Sequence, residues 1–304
     1  MSRQTLEEGT VVAQDRRSND ARGRQGAGDR RGGPPGADKR GGRSDRTGDR
    51  RVGNRPGSDR EGGERRRNVD QAQYDGPPLD ESITGSELDR SVRQQLRGLP
   101  EKLAARVARH LVAAGQLIDE DPKTAYQHTL AARARAARVA VVREACGEAA
   151  YAAGEYAEAL AELRAAKRIN GATDYLHVMA DCERALGRPE KALALAKSPG
   201  VAGLGPDLRA EMTIVEAGAR RDMGELDAAL RTLESAPLRS QSRADWVVRL
   251  RYAYADTLLA AGRPRDAAEW FHRTEAIDGD MITDAAERVV ELERAGGPEE
   301  PTRP

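Results

Sequence analysis

Four glycines set the frame for the C-terminal two-thirds of this chain: Gly154, Gly187, Gly224 and Gly262, spaced 33, 37 and 38 residues apart. Five residues after each stands an alanine (Ala159, Ala192, Ala229, Ala267). Seven before each stands a residue no larger than alanine (Gly147, Ala180, Ala217, Ala255). Six after come Leu160, Leu193, Leu230 or Ala268, and nine after come Leu163, Ala196, Leu233 or Phe271. Around the first copy the period is helical on both sides. Cys146, Ala149, Ala150 and Ala153 share a face before Gly154, while Tyr156, Ala159, Leu160, Leu163 and Ala166 recur at i, i+3, i+4 and i+7 after it. Gly154 stands where a helix would end in a left-handed residue. Each copy therefore predicts two short helices whose backbones approach closely at the small residues. A single such pair cannot bury both faces, so the repetition itself supplies the core.

Gly147, Gly154, Tyr156, Ala159 and Ala166 resemble the core motif of tetratricopeptide repeats, whose period is roughly 34 residues. The resemblance covers about residues 100 to 295. It implies an all-α protein: a right-handed α-solenoid of about five helix-turn-helix pairs with a C-terminal capping helix, preceded by a long disordered N-terminus. Two departures stand out. The large residue expected before the first small position is Cys146, Met179 and Tyr254, but Glu216 in the third copy. In the second copy Ser198-Pro199-Gly200 cuts the second helix short.

Composition fits thin helices better than a thick globule. Of 304 residues 33% are charged and 3% aromatic, with a single Phe, so alanine, leucine and valine must supply the apolar surface. The two cysteines, Cys146 and Cys182, have no metal or redox spacing and read as buried free thiols in a reducing compartment. The N-terminus has no apolar targeting segment and no run approaches the ~20 residues of a membrane span, so a cytoplasmic location is expected, away from membranes. The net charge of +0 conceals an asymmetry: residues 1–70 hold 18 basic and 12 acidic side chains, the remainder 32 and 38.

Residues 1–83 read as an Arg/Gly/Asp-rich disordered tail and linker, with too little apolar surface to offset the entropy of ordering. Arg31-Gly32-Gly33 and Arg40-Gly41-Gly42 resemble the arginine–glycine tails of RNA-associated proteins. No aromatic precedes Tyr74 to stack on bases, and Asp29, Asp38, Asp45, Asp49 and Asp59 compete with phosphate for the arginines. Ser86-Glu87-Leu88-Asp89 predicts a capped N-terminal helix within residues 84–98. The repeat domain follows over 99–296, beginning with an atypical pair opened by Pro100 and Asp121-Pro122, and residues 297–304 form a frayed tail. Thr283 or Asp284 is positioned to cap the last helix.

Catalytic, cofactor and metal signatures are missing from the sequence, so no catalytic residue, cofactor or metal site is expected. His110, His128, His177 and His272 are scattered singly. Asp278-Gly279-Asp280 fails as a calcium loop, with Thr283 where the glycine belongs and Val289 where the bidentate glutamate belongs. What remains is a surface. The resemblance to tetratricopeptide repeats implies that the first helix of each pair lines a concave groove. Carried onto this sequence, its groove positions fall at Glu144, Glu148 and Tyr151; Asp174, His177, Asp181 and Arg184; Glu211, Ile214 and Arg221; and Arg249, Tyr252 and Asp256. Acids outnumber bases there, and the paired Lys and Asn of carboxylate-clamping relatives are missing, which points to a basic or amphipathic peptide. The expected function is a non-catalytic interaction scaffold of unspecified oligomeric state. The competing expectation is weak, salt-sensitive RNA contact through the tail. A third is the basic arm folding back onto the acidic repeats.

Overall fold

A computed structural model describes residues 75–295, so what the sequence implies for 1–74 and 296–304 lies outside the described residues. Among them there are twelve α-helices and no strand. They are α1 (Arg90–Leu96), α2 (Glu101–Leu117), α3 (Pro122–Ala136), α4 (Ala140–Ala152), α5 (Tyr156–Asn170) and α6 (Leu176–Ala185). The rest are α7 (Pro189–Ala196), α8 (Pro206–Asp222), α9 (Leu226–Glu234), α10 (Asp245–Ala260), α11 (Pro264–Glu275) and α12 (Ala285–Ala295). None is long and apolar enough to cross a membrane.

The turn after each anchor glycine is built the same way. Gly154, Gly187, Gly224 and Gly262 have φ of 79, 71, 78 and 73°. In each, the next residue's N–H reaches the carbonyl five residues back: Glu155 to Ala150 (2.8 Å), Arg188 to Glu183 (2.9 Å), Glu225 to Arg220 (2.8 Å), Arg263 to Leu258 (3.0 Å). This is the six-to-one bond of a Schellman ending. The residue making it then serves as N-cap of the second helix, so two helices are joined by the smallest turn that reverses the chain. Ala159, Ala192, Ala229 and Ala267 are all fully buried. Opposite them, a Cβ on Gly147 would lie 2.6 Å from Leu163 Cγ and 3.4 Å from Ala159 O, which is close backbone approach in measured form.

Five pairs result (α2–α3, α4–α5, α6–α7, α8–α9, α10–α11), and each helix packs on the next along the chain. First helices also meet directly, α6 on α8 and α8 on α10. The core follows this order as successive patches. Leu96, Val107, Leu111 and Val142 form one; Leu163, Leu176, Met179 and Met212 form the next; Leu233, Leu250, Leu258 and Phe271 form the last. α12 closes the row by burying Ala285 and Val289 in the last patch. The short second helix of the third pair ends where Pro199 begins a 3-10 turn, Pro199–Gly203.

Two local features differ from the sequence reading. No helix starts at Ser86. Glu87 Oε1 accepts instead from Thr84 N (3.0 Å), closing a turn, and the N-cap is Asp89, which accepts from Ser91 N (2.6 Å). Residues 75–83 are not a free linker either. Ile83 is buried against Val112 and Ala113, and Arg109 donates to the carbonyls of Ile83 (2.6 Å) and Asp80 (2.9 Å). The packed unit therefore begins before residue 84. An extended strap of this kind carries no helical or alternating period by which a sequence could announce it.

Candidate partner-binding face

The groove positions belong to the first helices of four successive pairs, at fixed distances ahead of each anchor glycine. Glu144, Glu148 and Tyr151 lie on α4, and His177, Asp181 and Arg184 on α6, with Asp174 in the turn before it. Glu211, Ile214 and Arg221 lie on α8, and Arg249, Tyr252 and Asp256 on α10.

The structure brings most of them together as partners of one another. The residue three before the glycine reaches forward toward the residue six before the next glycine. Thus the Tyr151 hydroxyl donates to Asp181, and Arg221 Nη1 donates to Asp256 (2.6 Å). Between these two rungs the corresponding position is Gly218, which has no side chain to offer. Arg184 passes over it, its Cζ only 2.5 Å from where a Cβ would be, and pairs with Asp222 (2.8 Å) while also holding Asp181 (2.8 Å). Arg249 Nε donates to the buried Glu211 (2.7 Å), and at the surface Glu144 accepts from Asn170 (2.7 Å) at the end of α5. The row is a rail of alternating charge running from pair to pair.

Burial divides the set. His177, Glu211 and Tyr151 are 4, 5 and 9% exposed, so their side chains belong to the packing between helices. Burial and the Asp181 carboxylate hold the Tyr151 hydroxyl far above its ordinary pKa, which keeps it a hydrogen-bond donor. Tyr252 turns toward α12: its ring meets Phe271 edge-on (5.4 Å), and burial together with a hydrogen bond to Asp284 raises its hydroxyl pKa. Asp174 is exposed, and Glu144, Glu148, Asp181, Arg184, Ile214, Arg221, Arg249 and Asp256 are half-buried. A partner lying along this face meets a surface whose charges are already largely neutralised, with acids in excess toward α4 and α6.

Sequence reasoning missed the more deeply buried charge clusters. Glu162, 5% exposed, holds Arg133 from α3 and Arg143 from α4 (2.5 Å). Glu183, 1% exposed, holds Arg164 (2.6 Å) and Arg188 (3.5 Å). His110 and His128 meet through their Nδ1 atoms at 3.0 Å beneath the strap. Glu162 and Glu183 sit on apolar faces where helical periodicity alone expects hydrophobic residues, and that anomaly was the available signal.

A scan against protein-family models and a search of curated proteins both find no match to the chain. Its chemistry has to be read from the residues. Among the described residues no three metal-ligating side chains cluster. Burial pushes the Cys146 thiol up to about 11 and the Cys182 thiol up to about 12, so at neutral pH both stay protonated and are poor nucleophiles.

Proposed function

We propose that the protein is a non-catalytic interaction scaffold, a tetratricopeptide-like right-handed solenoid that holds a peptide or partner protein along its row of first helices. The observation that carries the reading is the rail itself. Three rungs, each starting three residues before an anchor glycine, join α4 to α6 (Tyr151–Asp181), α6 to α8 (Arg184–Asp222) and α8 to α10 (Arg221–Asp256). A row in register suits an extended or helical segment that contacts several pairs in succession. The acidic excess at Glu144, Glu148 and Asp174 favours a basic peptide. Two unbridged cysteines fit a reducing, cytoplasmic setting.

The test is selection from a displayed peptide library against the full chain, followed by charge reversal. Enrichment of Lys- and Arg-rich peptides is expected, with binding lost in Glu148→Lys/Asp174→Lys while the helical circular dichroism persists. Selection of no peptide, or binding indifferent to the reversal, would defeat the proposal.

A further inference from the structure

A second recess lies on α10, α11 and the segment joining α9 to α10, and it shares no residue with the rail. It has a volume of about 380 Å³ and is lined by Leu238, Arg239, Gln241, Arg251, Trp270 and Arg273. Three of six lining residues are arginines, in a part of the chain that is acidic on balance.

Arg251 is fixed in place. Its Nε donates to Leu238 O (2.9 Å), its Nη1 to Arg273 O (3.0 Å) and its Nη2 to Ser240 O (2.8 Å). A guanidinium has five N–H donors, so two remain, one on each terminal nitrogen. Its three partners are neutral carbonyls, and among the described residues no carboxylate contacts it. Arg239 is exposed and likewise has no ion pair among the described residues. Arg273 lies over the Trp270 ring, 4.7 Å from its centroid, and pairs with Glu269 on its own helix. The Tyr254 hydroxyl donates to Glu234 (2.9 Å), and Tyr254 packs edge-on against Trp270 (5.0 Å). Burial and the neighbouring Arg273 together depress the Arg251 pKa, as expected of positive groups crowded without a counter-charge.

The geometry points to a phosphate-binding recess: an oxyanion with two or more free oxygens received by the spare donors of Arg251, by Arg239 and by Arg273, with Trp270 as its apolar wall. A guanidinium held by three hydrogen bonds, with one donor spare on each terminal nitrogen, can meet phosphate at two points and loses little freedom on binding. The volume exceeds that of the ion alone, leaving room for the group that carries it.

The full-length protein is titrated at low salt with inorganic phosphate, with O-phosphotyrosine and with tyrosine, while the indole N–H resonances are followed. The Trp270 signal should shift with both phosphate-bearing probes and not with tyrosine, while Trp246, outside the recess, stays put. Arg239→Ala and Arg273→Gln, neither of which props up the backbone through its side chain, should each weaken binding about tenfold. Tighter binding of the ester makes a phosphorylated side chain the source, and equal binding makes it free phosphate. A Trp270 signal unmoved at millimolar phosphate, or an affinity unchanged in both variants, overturns the assignment. The rail plays no part in these readouts, so failure here and failure of the scaffold reading remain distinct.

Discussion

A methyl group at Gly147 would come within 2.6 Å of Leu163, whereas one at Gly154, seven residues on, would meet nothing within 4 Å. The two glycines are therefore needed for different reasons, and their substitutions should behave differently. Gly147→Ala is expected to cost about 1–3 kcal/mol through overpacking, despite a helix-propensity gain of under ~1 kcal/mol. Gly154→Ala should cost roughly 1–2 kcal/mol from backbone strain alone, since its φ is 79°. In a Leu163→Ala background, itself costly because that side chain is buried, the Gly147→Ala penalty should largely vanish while the Gly154→Ala penalty stays the same, read by urea denaturation. Also at this scale is the His110–His128 pair. Burial above all, helped by His128 and by Arg106, Arg135 and Arg109, lowers His110 from 6.5 to about 4, and burial lowers His128 as well. Asp75 on the strap is the only carboxylate in this ring of described charges, and it is engaged by Arg106 (3.0 Å) and by Arg135. Between pH 6.5 and about 4 the unfolded chain takes up protons that the folded His110 refuses, so stability present above pH 6.5 is lost as pH falls. A drop of roughly 2 kcal/mol across that window is expected in pH-dependent melts, and His110→Gln should flatten it.

Among the elements, the helix pairs were the part most legible in the sequence. A glycine flanked by small residues at fixed offsets leaves few alternatives, because only φ > 0 closes the turn and only alanine or glycine permits the approach. The charged side chains were not legible in the same way. Which arginine meets which carboxylate depends on how residues 19 to 38 positions apart superpose, and local periodicity carries no such information. Glu183 illustrates the consequence. It is 1% exposed, while Arg164 and Arg188, its two partners, are 47% and 48% exposed. Either arginine alone can compensate the carboxylate, so Arg164→Ala and Arg188→Ala should each cost about 1 kcal/mol or less. The double variant strands a buried charge and should cost about 3–5 kcal/mol, well beyond the sum. Additive effects in the double-mutant cycle would show that Glu183 is compensated elsewhere.

For the whole molecule, the rail adds polar ties between pairs on the first-helix side, beside the apolar packing of α6 on α8 and α8 on α10. Tyr151, Asp181, Arg184 and Asp222 link α4, α6 and α8, and Arg221–Asp256 links α8 to α10. Stability in stacked repeats is close to a sum of unit and neighbour terms, so weakening the neighbour terms should break cooperativity before it removes helix. Arg184→Ala/Arg221→Ala is expected to broaden the urea transition and split hydrogen-exchange protection into an N-terminal and a C-terminal block. Molar salt should do the same in the unmodified protein by screening the half-exposed pairs. A single sharp transition in both experiments would mean that the apolar patches alone set the coupling.

Gly218 gives this rail its single irregular rung. Because that helix turn is bare, the Arg184 side chain lies flat across it and finds its acid one helical turn further on. The smallest residue in the protein thereby chooses the counter-ion of an arginine from another repeat. An alanine there would lift the guanidinium away from Asp222 and hand it wholly to Asp181, trading a bond between neighbours for one within a single helix.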